Sequence, residues 1–145
     1  MKTAKRDVTV LITKEVDYAL RILRALGTGG QITANELADG EKIPPQFAYK
    51  ILKKLKHGGL VDIRRGVSGG CSLATDLRNV TLYDLIHIME ADGCVAQCLS
   101  KGSACPWRAA HGGIPCMANA HLAQIQRVLD TELRAHNLYE TLFED

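Results

Sequence analysis

Hydrophobic positions recur at helical spacing through the first third of the chain, then give way to short apolar runs separated by glycine. Val16, Ala19, Leu20, Leu23 and Leu26 share one helical face, and Thr13 stands where an N-cap belongs. Gly27, Gly29 and Gly30 end this first helix. The next start is marked more fully. Thr33 and Glu36 have the spacing of a capping box, and Ile32 and Leu37 occupy the positions of a hydrophobic staple around it. This second helix should be short, running to about Asp39 with Gly40 supplying the turn. Pro44-Pro45 opens a third helix, because proline at the first helical position loses no hydrogen bond. Ala48, Ile51, Leu52 and Leu55 make its apolar face, and Gly58-Gly59 stops it.

The period then changes. Leu60 to Ile63 reads as a strand, residues 64–70 as a glycine-rich hairpin tip, and Cys71 to Ala74 as the return strand. Thr81 with Asp84 caps a fourth helix bearing Leu82, Leu85, Ile86 and Met89. The stretch from Cys94 to Cys116 has glycines and prolines but no period, and is read as a loop. A last helix over about 117–139 carries a stripe of Leu122, Ile125, Val128, Leu129 and Leu133. Residues 1–10 form a polar lead-in expected to be loose. Helix, short helix, turn, helix and hairpin is the order of a winged helix-turn-helix. The expected fold is therefore mainly α, a winged helix-turn-helix with a small β-hairpin wing and a long C-terminal helix. Residues 11–78 would be the winged domain, 79–116 a linking helix and cysteine-bearing loop, and 117–145 a final helix and tail.

Composition alters this picture little, but charge does. With 46% hydrophobic and 23% charged residues among 145, the chain is an ordinary globular one. No apolar run is long enough to span a bilayer and no signal-peptide core is present, so a cytoplasmic protein without membrane contact is expected. The net charge of +2 conceals an uneven distribution. Residues 42–65 hold seven lysines and arginines against Asp62 alone, a local +6 that leaves −4 elsewhere. A solvated lysine face would look the same, but a basic block beside a helix-turn-helix favours a polyanion met by one face. Gln46, Tyr49 and Lys50 lie on the polar side of the third helix near its start, where base edges are usually reached. Lys53, Lys54 and Lys56 suit phosphates. In the wing, Arg64 or Arg65 is placed to enter a minor groove, and Gly66, Gly69 and Gly70 allow close approach of the backbone, with Ser68 and Gly69 among the expected contacts.

Five cysteines, an odd number without an export signal, argue against a disulfide framework. Four of them, Cys94, Cys98, Cys105 and Cys116, crowd into one segment and point to metal or redox chemistry. Cys71 stands apart and reads as a small buried hydrophobe. Zinc on four thiolates, or on three with His111, is one reading; a metal-free thiol switch is another. A cysteine–histidine nucleophile is a third, but no phosphate loop, triad order or paired carboxylates support an enzyme. A protein-interaction adaptor built on the winged domain would be of yet another class.

The stretches 12–21, 43–61 and Arg65-Gly66-Val67-Ser68-Gly69-Gly70 resemble the IscR/NsrR-type (Rrf) bacterial transcription regulators. The resemblance runs from about residue 11 to 140. It implies a homodimer whose last helices cross and which binds palindromic double-stranded DNA. It also implies an iron–sulfur cluster, 2Fe-2S or 4Fe-4S, on three cysteines, best matched by Cys98, Cys105 and Cys116. Their spacing, six and then ten intervening residues, is wider than the family's usual short pattern. For the fourth ligand the resemblance points to Asp17, contributed across the dimer, with Cys94 and then His121 as alternatives. The function so implied is a switch, in which gain or loss of the cluster under iron shortage, nitric oxide or oxidant changes DNA affinity.

Overall fold

The computed structural model describes residues 12–90 and 92–145, so the expected loose lead-in over 1–10 lies outside the described residues. The first helix, α1, spans Lys14–Gly27, with the Thr13 hydroxyl accepting from the Val16 N–H. Its stripe of Val16, Ala19, Ile22, Leu23 and Leu26 is buried. α2 (Ala34–Gly40) starts in the expected capping box: Glu36 N–H donates to Thr33 Oγ1 at 3.2 Å, and Thr33 N–H donates to Glu36 Oε2 at 2.9 Å. α3 (Pro45–His57) buries Ala48, Ile51, Leu52 and Leu55 against α1 and α2.

The turn between α2 and α3 differs from the expectation. Gly40 is the last helical residue, and the left-handed position falls on Lys42, at φ +56°. Two hydrogen bonds require it: Ile43 N–H to Ala38 O at 2.9 Å and Lys42 N–H to Asp39 O at 3.4 Å, the Schellman closure. Ile43 is thereby turned into the core. The same closure ends α3, where Leu60 N–H bonds Leu55 O and Gly59 holds φ +79°. That bond explains why the wing strands sit one residue from their expected places. β1 is Val61–Arg64 and β2 is Gly70–Leu73, antiparallel, with Ile63 opposite Cys71 and Arg64 opposite Gly70. Leu60 instead packs inward. Cys71 is buried as expected, and it pairs with Ile32 as well, fastening the wing to the chain that enters α2.

A 3-10 turn (Leu77–Asn79) leads to α4 (Leu82–Met89), which has its own Thr81–Asp84 capping box. The cysteine segment is not one open loop. It contains a 3-10 turn at Gln97–Leu99 and a short helix, α5 (Pro106–Ala110), started by proline after Cys105. α6 runs Met117–Ala135 and ends earlier than expected. His136 and Asn137 are extended, Asn137 pairs with Thr81, and Leu82 N–H donates to His136 O at 2.9 Å. Asn137 then caps α7 (Leu138–Phe143), which packs on the 3-10 turn Leu77–Asn79 and on α1 and whose first residue is fully buried. No helix among the described residues is long and apolar enough to cross a membrane.

Candidate DNA-contact face and cysteine cavity

The outer side of α3 is solvent-facing from its first turn. Gln46, Tyr49, Lys50, Lys53 and Lys56 are exposed, while the apolar residues between them hold the helix on the core. Tyr49 is 54% exposed and its hydroxyl donates to Asn35 Oδ1 at 3.2 Å, which couples the two helices of the helix-turn-helix. Arg64, Arg65 and Ser68 are exposed on the wing. Gly69 is packed so closely that a Cβ there would lie 2.3 Å from the Arg64 carbonyl oxygen. The tip thus depends on a missing side chain at that position.

Glu15, in the first turn of α1, drew no attention in the sequence. Its Oε1 lies 2.6 Å from Lys50 Nζ and its Oε2 lies 2.6 Å from Lys54 Nζ. Hydrogen bonds from Lys50 and Lys54 hold this carboxyl below the ordinary glutamate range, outweighing the opposing effect of burial. Lys54 also donates to the Met89 carbonyl at 3.0 Å, one of the free carbonyls at the end of α4. Thr13 Oγ1 donates to Glu90 at 2.5 Å alongside. α3 is therefore tied to the start of α1 and to the end of α4. An acidic residue in a first helical turn is too common to have signalled this partnership.

Cys98, Cys105 and Cys116 line one open cavity of about 350 Å³, together with Arg108, Asn119 and Leu122. Each thiol comes from a different local structure: the 3-10 turn, the residue before α5 and the N-cap of α6. Asn119 N–H donates to Cys116 Sγ at 3.4 Å. Cys94 does not line this cavity. Its thiol donates to the Asp92 carbonyl at 3.3 Å, and burial together with Asp92 and Asp130 pushes it up, towards the neutral form. Gln126 of α6 anchors the same stretch, accepting from Val95 N–H at 2.7 Å and donating to the Gly93 carbonyl at 3.2 Å. Asp17 stands on α1, outside the cavity, with a 2.7 Å pair to Arg21. His121 is exposed on α6, and His111 stacks on Trp107 at 4.4 Å.

Among the described residues no three His, Cys, Asp or Glu side chains converge as a single ion would require. A zinc ion asks for donors about 2.0–2.3 Å from one point. An iron–sulfur cluster distributes its thiolates over several irons, so it asks for thiols around a shared cavity. The three cysteines at the cavity fit that second requirement.

Comparison with known proteins identifies the family and the fold. The Rrf2 family, described as an iron-dependent transcriptional regulator, matches residues 12–143. The chain is 36% identical to the HTH-type transcriptional repressor NsrR of Streptomyces coelicolor over 104 residues, covering 68% of this chain and 69% of that one. It is 32% identical to Protein aau3 of Rhizobium meliloti over 98 residues, 66% of this chain and 64% of that protein's length. The solved structure of T. potens IscR superposes with a TM-score of 0.68 at 17% identity, covering 94% of this chain and 87% of that one, a likeness of fold. The chain belongs to the Rrf2 family, and it is a transcriptional regulator with a DNA-binding winged-helix fold, not an enzyme.

Proposed function

We propose that the protein is a cytoplasmic homodimer that binds a palindromic operator and is switched by an iron–sulfur cluster. Cys98, Cys105 and Cys116 would hold the cluster, with Asp17 of the partner subunit as fourth ligand. The observation that carries this reading is the gathering of those three thiols around one cavity at the start of α6. Cys94 ranks lower as a ligand because its thiol is committed to the Asp92 carbonyl and kept neutral. His121 is the remaining alternative.

When bound, such a cluster supplies a centre that reacts with oxidant or nitric oxide and is lost when iron is short. The chain's own residues determine what that does. The cavity thiols join the 93–116 segment to the first turn of α6, and Gln126 holds the segment's beginning to the same helix. α6 carries exposed Ile125 and Val128, a face suited to a second copy. On the DNA side, Gln46, Tyr49 and Lys50 face base edges. Lys53 and Lys56 face phosphates, joined by Lys54 when its pair with Glu15 opens. Arg64, Arg65, Ser68 and Gly69 form the wing contact. Residues 11–78 thus read DNA, 79–116 sense, and 117–145 dimerise, around a core that runs through all three.

The test is protein purified without oxygen, with iron and sulfide assays and visible and EPR spectra. Cysteine-to-serine changes at 98, 105 and 116 should each abolish the spectrum, Cys94→Ser should preserve it, and Asp17→Ala should alter it. A colourless, iron-free product after reconstitution overturns the cluster. Fluorescence anisotropy on duplex DNA should show binding that weakens steeply as salt rises. No binding at any salt concentration would point to an adaptor instead.

A further inference from the structure

Glu15 lies outside every motif that points to DNA, yet it occupies two cations of the recognition helix at once. Its side chain is only 22% exposed, whereas that of Lys50 is 55% exposed on the proposed contact face. Among the described residues Lys53 and Lys56 make no ion pair, so the four lysines of α3 fall into a held pair and a free pair. A phosphate contact by Lys50 or Lys54 must first break a pair with Glu15. A phosphate contact by Lys53 or Lys56 carries no such cost. Sequence-independent binding depends almost wholly on phosphate contacts, so any residue that withholds cations weakens it selectively.

We infer that Glu15 is a specificity-determining residue: by holding Lys50 and Lys54 it suppresses binding to non-cognate DNA and leaves discrimination to Gln46 and Tyr49, the base-facing side chains of α3 that it does not hold. The inference rests on the DNA-contact reading above. It needs neither the cluster nor the operator sequence, and can be tested on metal-free protein with a random-sequence duplex.

The measurement is the dissociation constant for that duplex, by anisotropy, over a series of sodium chloride concentrations. Glu15→Gln should tighten binding several-fold at low salt and steepen the log–log salt slope by about 1 to 2, since each added phosphate contact contributes roughly 0.9. Asp62→Asn makes the same change of net charge at an exposed wing position and should have a much smaller effect. In a Lys50→Gln/Lys54→Gln background the Glu15→Gln gain should vanish. Glu15→Asp, too short to span both ammonium groups, should fall between wild type and Glu15→Gln, and it serves if circular dichroism shows Glu15→Gln unfolded. An unchanged slope in both Glu15 variants overturns the inference, as does a gain that persists without the two lysines. Wild-type protein that ignores the duplex at every salt concentration overturns the DNA-contact reading together with this one. Wild-type binding with an unchanged variant slope removes this one alone.

Discussion

Lys42 and Gly59 occupy equivalent positions at the ends of successive helices, and only one of them is suited to it. Both are left-handed residues of a Schellman closure, but a Cβ in that conformation costs roughly 1–2 kcal/mol. Lys42→Gly should therefore raise stability by about 1 kcal/mol, read as an increased urea midpoint with an unchanged slope. The capping box gives a second prediction at this scale. Thr33→Ala removes the acceptor of the Glu36 N–H and should cost about 1 kcal/mol in the same assay. The Thr33 backbone N–H, then its hydroxyl, bond the Glu36 carboxylate and hold its pKa below the ordinary value. A depressed carboxyl stabilises the fold fully above its unfolded-state pKa, and the benefit is lost as pH falls through the folded-state one. The loss of urea midpoint between about pH 6 and about pH 3 should accordingly be smaller in Glu36→Gln than in wild type.

Elements were legible where local chemistry decides them. The α1, α2, α3 and α4 caps stand where Thr13, Thr33, Pro44-Pro45 and Thr81 placed them. The last helix was not. The apolar stripe continues past 135, but Asn137 is also a good N-cap, and two short bonds to the chain at Val80 and Leu82 break the helix there. The break turns Leu138 into the core, so Leu138→Ala should cost about 2–5 kcal/mol by chemical denaturation despite its place in the short helix α7. α5 was likewise hidden, because five residues show no period, although Pro106 after Cys105 was a start signal. In the wing, Gly69→Ala would set a Cβ against backbone atoms of residues 64–66, which cannot yield as a side-chain end can. It should weaken duplex binding several-fold in anisotropy while the helical circular dichroism stays as in wild type.

For the whole molecule, cations concentrate on α3 and the wing, and α6 carries the exposed apolar residues Met117, Ile125 and Val128. Val128 is 67% exposed and Ile125, one helical turn before it, 55%, so the two lie together as an apolar pair on the surface of α6. An Ile125→Arg/Val128→Arg protein should sediment as a monomer where the wild type sediments as a dimer. It should also lose DNA affinity by more than tenfold, because each half of a palindrome is then bound separately. A monomeric wild type would sink this assignment.

By itself the sequence determined the starts of α1 to α4 and of α6, the hairpin, the buried faces and the crowding of cysteines. These follow from contacts within one helical turn or one strand pair, where residue type and spacing are sufficient. Only the tertiary structure decided which cysteines share a cavity, since Cys98, Cys105 and Cys116 line it from one turn and two helix starts that the spacing does not reveal. It alone joined Glu15 to Lys54, 39 residues away, and Lys54 to the carbonyl of Met89, 35 residues further on. Such pairs depend on how helices cross, and that is settled by the packing of the whole core.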